Sequence, residues 1–187
     1  RKMVADDVVW SFNRLMSPNQ GFVGARWVRL IKGAVDVEKG DAKEISGIKQ
    51  IDDHTVEITF TQKVEPGFLF YNMTTSILPK EEVAKPTWAT NPVGLGSFKF
   101  KEHIPGSRLV AERFDKFYKP GLPYLDRVEF PIMAEASARD IAFRNKEVDT
   151  SILGPVQYVA YGKDPELKKH ILEVAEVFTR AMTMNHE

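Results

Sequence analysis

Residues 91–100, NPVGLGSFKF, constrain the fold more than any other stretch, because a proline and two glycines lead directly into alternating apolar residues. Pro92 fixes its own φ and restricts the backbone of the residue before it. Gly94 and Gly96 can take positive φ values that most residues avoid. The pattern therefore predicts a sharp turn followed by a strand with both phenylalanines on one face.

The patterns of apolar residues before this segment predict helices and one hairpin. Residues 5–16 carry apolar side chains at helical spacing, with acidic residues in the first turn, where they favour the positive end of the helix dipole. Residues 45–51 and 55–61 alternate around the polar turn Asp52, Asp53 and His54, which indicates a β-hairpin. Shorter helices or turns are expected over residues 25–31, 65–71 and 80–85.

A linker over residues 86–92 separates a smaller subdomain, residues 1–90, from a core subdomain, residues 91–187. After the linker, strand and helix patterns alternate, which is typical of an α/β fold whose mixed sheet carries crossover helices. The expected strands are residues 97–103, 107–113, 125–133, 148–152, 169–174 and 179–185, and the expected helices are residues 136–145 and 155–161.

Composition narrows the class of protein. The 187 residues contain 26 Lys plus Arg and 26 Asp plus Glu, so no overall charge attracts nucleic acid or an anionic membrane. The absence of cysteine rules out disulfides and thiolate metal sites. No apolar run approaches the ~20 residues that cross a bilayer. We expect a globular chain without nucleic-acid partners.

Residues that could carry catalysis are sparse. The four histidines are scattered, and none has a second ligand at helical spacing, so no metal site is predicted. No serine stands in a G-x-S-x-G frame, and no Lys-Ser/Thr pair follows the glycines of residues 94–96. The acidic pairs at 6–7 and 52–53 fit capping and turn roles. The sequence thus predicts no catalytic residues, no cofactor and no enzyme.

Five segments together resemble one family. Residues 91–100 are similar to a P-V-G-T-G-P-Y/F signature, and residues 5–15 to T-A-E-D-V-V-F-S-F-E-R-L. Residues 52–60 resemble D-D-Y-T-V-x-F-T-L, residues 118–133 resemble Y-x-x-G-x-P-Y-L-D-x-V-x-F-x-I-I, and residues 142–149 resemble A-L-x-x-G-E-V-D. In this order they are typical of the bacterial extracellular solute-binding proteins of family 5, which serve peptide and nickel ABC importers.

The sequence departs from the family pattern at four positions. Leu95 replaces Thr, Ser97 replaces Pro, Val4 stands where a capping Thr or Ser is usual, and Asn145 replaces Gly. These changes concern local turns and helix caps. The resemblance implies a periplasmic-binding-protein-like fold of type II, cluster C, and we expect the chain to be an incomplete first lobe, with the second lobe absent.

The resemblance also implies a function. Family members bind a peptide or another small solute between two lobes and present it to an ABC permease in the membrane. A periplasmic or extracytoplasmic location, in some cases with a lipid anchor, and a monomeric whole protein are expected. The alternatives left open are a solute-sensing module of a transcription regulator and a binder of an oligosaccharide or a nickel chelate.

Candidate ligand contacts lie in two regions of the first subdomain. Phe22 occupies a glycine-flanked loop where peptide-binding relatives place an aromatic side chain facing the cleft, although it could equally fill the subdomain's own core. Trp27, on the next helix, is a weaker candidate that could line the cleft or pack internally.

Three further candidates lie in the second subdomain. Leu153 and Gly154 follow a predicted strand, and ligands of open α/β sheets bind beyond strand carboxyl ends, although an ordinary loop before a helix starting at Pro155 is the alternative. Arg180 lies where the family directs side chains toward the ligand, and it could bind a carboxylate bidentately or pair with Glu176 at the surface.

Overall fold

The computed structural model describes residues 1–18, 25–71 and 75–174. Two compact units divide the chain, the first being Arg1–Pro131 and the second beginning at Ile132. The predicted division at residues 90 and 91, which refers to the subdomains of a whole lobe, stays a prediction. The elements of the first unit are α1 (Ala5–Met16), α2 (Ala25–Val28), α3 (Ala34–Lys39), β1 (Ile48–Asp52), β2 (Thr55–Ile58), α4 (Gly67–Tyr71), α5 (Lys80–Val83), β3 (Phe98–Ile104), β4 (Arg108–Arg113) and β5 (Arg127–Pro131).

Helix α1 begins with a carboxylate cap. Val4, at the N-cap, has no polar side chain, but its backbone N–H donates to Asp7 Oδ2 at 2.9 Å. Arg1 donates to the same carboxylate from Nη1 at 2.7 Å, and it also pairs with Glu81 on α5. Asp7 is buried, and its carboxylate accepts hydrogen bonds from both partners. This buried carboxylate therefore stabilises the start of the helix.

Strands β1 and β2 form the predicted antiparallel hairpin. Ile48 pairs with Ile58, and the turn closes where Asp52 Oδ1 accepts a hydrogen bond from the backbone N–H of His54 at 2.7 Å. This carboxylate contact is the reason that an Asp-Asp-His turn forms without glycine.

The core of the first unit lies between α1, α3 and this hairpin. Helix α3, which the sequence analysis missed, is flanked by Gly33 and Gly40, both with positive φ. Its Ala34 and Val37 are buried against α1. The buried cluster consists of Phe12, Leu15, Met16, Val28, Ile31, Ala34, Val37, Ile45, Ile48 and Leu69.

Strands β3, β4 and β5 form a separate antiparallel sheet in that order. The sequence also predicts a turn at Pro105 and Gly106 between two of the expected strands, and Gly106, in the β3–β4 turn, has a φ of 73°. The φ angles of Gly94 and Gly96 lie outside the left-handed region, so neither glycine uses the positive φ that is open to it. An added Cβ at Gly94 would meet nothing within 4 Å, so the described chain does not demand glycine there.

The second unit is helical in its described part, with α6 (Ala136–Arg144), α7 (Pro155–Lys163) and α8 (Pro165–Lys168). The strands predicted at residues 148–152 and 169–174 are not formed, so those predictions were wrong. A strand needs a ladder partner, and none of the described residues pairs with either segment. The strand predicted at 179–185 lies outside the described residues.

Candidate ligand-binding site

A cavity of about 610 Å³ lies within the second unit beside α7, and we name it the α7 cavity. Its wall is formed by the end of α6, the chain between α6 and α7, part of α7, and the residues that follow α8. Leu153 is one of the lining residues and is half-buried. The residue predicted to form a cleft wall therefore does border a cavity.

Gly154 shapes the entry to α7. It is the N-cap residue, with extended backbone, and its carbonyl accepts a hydrogen bond from Tyr158 N at 2.9 Å. Pro155 follows at the first helical position, where its missing N–H costs nothing. A Cβ at Gly154 would approach Ala136 to 3.4 Å and the end of the Gln157 side chain to 2.7 Å. The Ala136 distance is an ordinary contact and the Gln157 side chain can rotate away, so a small side chain can be accommodated at this position.

A buried tyrosine, Tyr161, lines the α7 cavity. Tyr161 is 2% exposed, and its hydroxyl donates to Asp140 Oδ1 on α6 at 2.6 Å. Arg144 Nε donates to the same oxygen at 3.0 Å, and its guanidinium lies 4.9 Å from the centroid of the Tyr161 ring. These contacts tie α6 to α7.

The pKa values in this cluster follow from its geometry. The hydrogen bond from Tyr161 lowers the pKa of Asp140, and Arg144 adds to that effect, while partial burial opposes both. Burial raises the pKa of Tyr161, and the hydrogen bond to Asp140 raises it further. At neutral pH the pair is therefore held as a carboxylate and a neutral phenol, which suits a structural role.

Two more polar groups face the α7 cavity. Tyr158 donates a hydrogen bond to Glu173 Oε1 at 2.5 Å, which raises the pKa of this tyrosine. Ser151 Oγ is buried and has no hydrogen-bond partner among the described residues. A buried hydroxyl without a partner is costly, so a group that entered the cavity could gain by bonding to it.

The other lining side chains are largely apolar and open to solvent. Ile152 is 83% exposed, Leu172 86% and Val174 72%. Ligand sites typically combine such apolar surface with a small number of placed polar groups. The lining of the α7 cavity combines this apolar surface with polar side chains that include Asp149, Ser151 and His170.

A second, smaller pocket of about 210 Å³ lies in the first unit, and we name it the Trp27 pocket. Its lining comes from α2 and the residue that follows it closely, from the chain between β2 and α4, and from α4. Trp27 is half-buried there, and the guanidinium of Arg26 lies 5.1 Å from its ring centroid. The residues lining the pocket are Trp27, Leu30, Phe60, Gln62, Val64, Glu65 and Leu69.

The structure thus places the predicted contacts in separate cavities. Trp27 lines the Trp27 pocket, while Leu153 lines the α7 cavity and Gly154 begins the helix beside it. Phe22 and Arg180 lie outside the described residues. The role of all five in ligand binding stays a prediction.

Sequence reasoning missed the side chains that complete these cavities. Tyr161 and Asp140 are 21 positions apart, and neither stands in a motif. Phe60 was read only as part of a hairpin face, and Glu65 only as part of a short helix or turn. The sequence does show apolar residues at 152, 156 and 159, and the structure leaves their side chains exposed.

Within the described ranges, no group of three or more His, Asp or Glu side chains is placed to hold a metal ion. Over the same ranges, none of the helices combines the length and the apolar character that a bilayer crossing needs.

The fold defines the class of protein. The structure superimposes on the murein tripeptide-binding protein MppA in its unliganded open form with a TM-score of 0.81 and 23% identity, covering 89% of this chain and 34% of that one. It also matches OppA of Haemophilus influenzae, solved in complex with RPPGFSPFR, with a TM-score of 0.77 and 22% identity over 87% of this chain and 34% of that one. The chain therefore has the periplasmic-binding-protein fold, as predicted.

The sequence identifies the family within that class. A model of the bacterial extracellular solute-binding proteins, family 5 Middle, matches residues 1–187. The periplasmic oligopeptide-binding protein OppA of Escherichia coli strain K12 is 30% identical over 158 residues, which is 79% of this chain and 28% of that protein. This chain belongs to solute-binding family 5, which confirms the resemblance noted above.

The chain is much shorter than the curated relatives that it matches. The dipeptide-binding protein of Escherichia coli strain K12 is 28% identical over 157 residues, which is again only 28% of its length. The matched region is thus little more than a quarter of these curated relatives. What the whole protein binds and which partners it meets are matters of proposal.

Proposed function

We propose that the whole protein is the substrate-binding component of an ABC importer and captures peptides or similar small solutes for a membrane permease. The observation that carries this proposal is the family match over residues 1–187. The names of its relatives support it, since OppA, a dipeptide-binding protein and a di/tripeptide-binding protein all align with this chain. The corresponding location is periplasmic or extracytoplasmic, with a lipid anchor as one means of attachment.

Capture by such a protein is non-covalent. Two lobes enclose the solute, exclude water and so strengthen each polar contact inside. The ligand selects the closed form by the difference between its affinities for the open and closed states. Residues 1–187 supply part of one lobe, and alone they are expected to bind peptide too weakly to detect.

Within this chain, Leu153 and Gly154 would form a wall of the cleft, and Trp27 would contribute an aromatic surface. Phe22 would add a second aromatic contact, and Arg180 would pair with a ligand carboxylate through two parallel hydrogen bonds. No catalytic role is assigned to any of these five residues, because the proposed function is non-covalent capture.

Isothermal titration of the whole protein against short peptides tests the function. We expect a dissociation constant in the micromolar range or tighter, with no binding of oligosaccharides or nickel chelates at comparable concentrations. Tight binding of either of those ligands in place of peptide would refute the proposal.

A pair of variants tests the cleft wall. Leu153→Ala removes a half-buried apolar side chain from the α7 cavity and should weaken peptide binding roughly fivefold. Leu125→Ala is the control, because Leu125 is exposed and lines neither cavity. Equal affinities of the two variants would remove Leu153 from the ligand site.

A further inference from the structure

The lining of the Trp27 pocket is mainly apolar and includes one exposed carboxylate, Glu65. Two aromatic and three aliphatic side chains line it, and its volume of about 210 Å³ has the size of one long side chain. Of the two polar lining residues, Gln62 and Glu65, only Glu65 is charged. A mainly apolar pocket with one carboxylate in its lining is suited to a side chain with an alkyl stem and a positive head.

Glu65 is available for such a contact. It is exposed, and it makes no ion pair with any residue in the described part of the chain. Its one hydrogen bond there is from the backbone N–H of Gly67 to Oε1, at a long 3.4 Å. The carboxylate of Glu65 is therefore exposed and has no charged partner in the described part of the chain.

We propose that the Trp27 pocket binds the basic side chain, lysine or arginine, of a peptide ligand. This rests on the proposed function, since it assigns a specificity to part of the same peptide-binding protein. The alkyl stem would pack between Trp27 and Phe60, and the cationic head would pair with Glu65. Gln62 offers its side-chain carbonyl oxygen as a further acceptor.

Arg26 is the nearby cation that could compete. Its guanidinium lies 5.1 Å from the centroid of the Trp27 ring, but Arg26 is not among the residues that line the pocket. It thus meets the indole outside the space that a ligand side chain would enter. Its charge opposes a second cation and limits the expected preference to a modest one.

The test is titration of the whole protein with matched tripeptides. Each set has alanine at two positions and either lysine or norleucine at the third, with the variable residue placed first, second or third in turn. Norleucine keeps the alkyl stem and lacks the charge. For one placement, wild-type protein should bind the lysine peptide roughly fivefold more tightly than the norleucine peptide.

Two variants, each of which removes one negative charge, distinguish a direct contact with Glu65 from a general electrostatic attraction between the protein and a cationic peptide. Glu65→Gln keeps the shape of the side chain and should bring the lysine-to-norleucine ratio close to one, because it weakens binding of the lysine peptide. Glu57→Gln is the control, because Glu57 is an exposed carboxylate on β2 that does not line the pocket, and its ratio should equal that of the wild type.

The outcomes are distinguishable. If lysine and norleucine peptides bind equally at every placement, or if norleucine binds more tightly, the pocket takes an uncharged side chain and the inference is wrong. The inference is also wrong if Glu57→Gln lowers the ratio as much as Glu65→Gln does. If no peptide of either kind binds, the proposed function fails together with the inference.

Discussion

The hydroxyl of Tyr161 should contribute measurably to the stability of the second unit. Tyr161→Phe keeps the buried ring but removes the donor that lies 2.6 Å from Asp140 Oδ1. Hydrogen bonds to charged groups contribute about 1.5–3 kcal/mol. The side chain of Asp140 is 20% exposed and keeps its pairing with Arg144, so the lower end, about 1.5 kcal/mol, applies.

The assay must report on the second unit itself. The tryptophans at positions 10, 27 and 88 all lie in the first unit, so tryptophan fluorescence does not report the loss. Hydrogen exchange of the α7 amides does, and about 1.5 kcal/mol corresponds to a roughly tenfold loss of protection. Tyr158→Phe is the matched control, because its hydroxyl bonds an exposed carboxylate and water can replace that contact.

Unchanged protection of α7 in Tyr161→Phe, or an equal loss in both tyrosine variants, would refute the reasoning. The pH dependence supplies a second check. Because the folded-state pKa of Asp140 is lowered, its contribution is fully present above the unfolded value of about 3.9 and is lost as the pH falls through the folded value. The difference between wild type and Tyr161→Phe should therefore shrink in acid.

Three smaller changes test the first unit, each by urea unfolding followed by tryptophan fluorescence. Asp7→Ala removes the acceptor for Val4 N and should cost about 1–2 kcal/mol at neutral pH. Since the pKa of Asp7 is lowered, mainly by Arg1, this cost should begin to shrink below the unfolded value of about 3.9 and be lost as the pH falls through the lower folded value; a pH-independent cost would contradict the capping role. Gly47→Ala would place a Cβ 2.7 Å from the carbonyl oxygen of Lys32 and should cost about 2 kcal/mol, whereas a neutral effect would show that the backbone yields there. Gly94→Ala meets no neighbouring atom and should be neutral or stabilise the unit by up to about 1 kcal/mol, so a large loss would reveal a contact absent from the described chain.

The elements that the sequence predicted correctly depend on local patterns. The apolar spacing of α1 and the alternation on both sides of Asp52 are visible within a single turn or strand. The β3–β4 hairpin was predicted for the same reason, because Gly106 marks its turn. The strands predicted at residues 148–152 and 169–174 failed because a strand also depends on a partner that lies elsewhere in the chain.

The candidate site was only partly predictable. Leu153 and Gly154 were placed at a cavity wall from the order of predicted elements, although one of those elements, the strand before them, is not formed. Trp27 was a candidate because of its place on the helix after the Phe22 loop, but nothing local indicated that Glu65 would share its pocket. A residue such as Glu65, which stands in no recognisable motif, gives no indication in the sequence of which distant residues it will contact.

By itself the sequence determined the family, the helices and hairpins with strong local periodicity, and the lack of a recognisable catalytic motif. Only the tertiary structure decided that Tyr161 bonds to Asp140, that Trp27, Phe60 and Glu65 line one pocket, and that Gly94 does not adopt a positive φ. The physical reason is that periodicity and turn chemistry act between near neighbours in the chain. Cavities and buried ion pairs depend on distances between distant segments, which chain folding alone establishes.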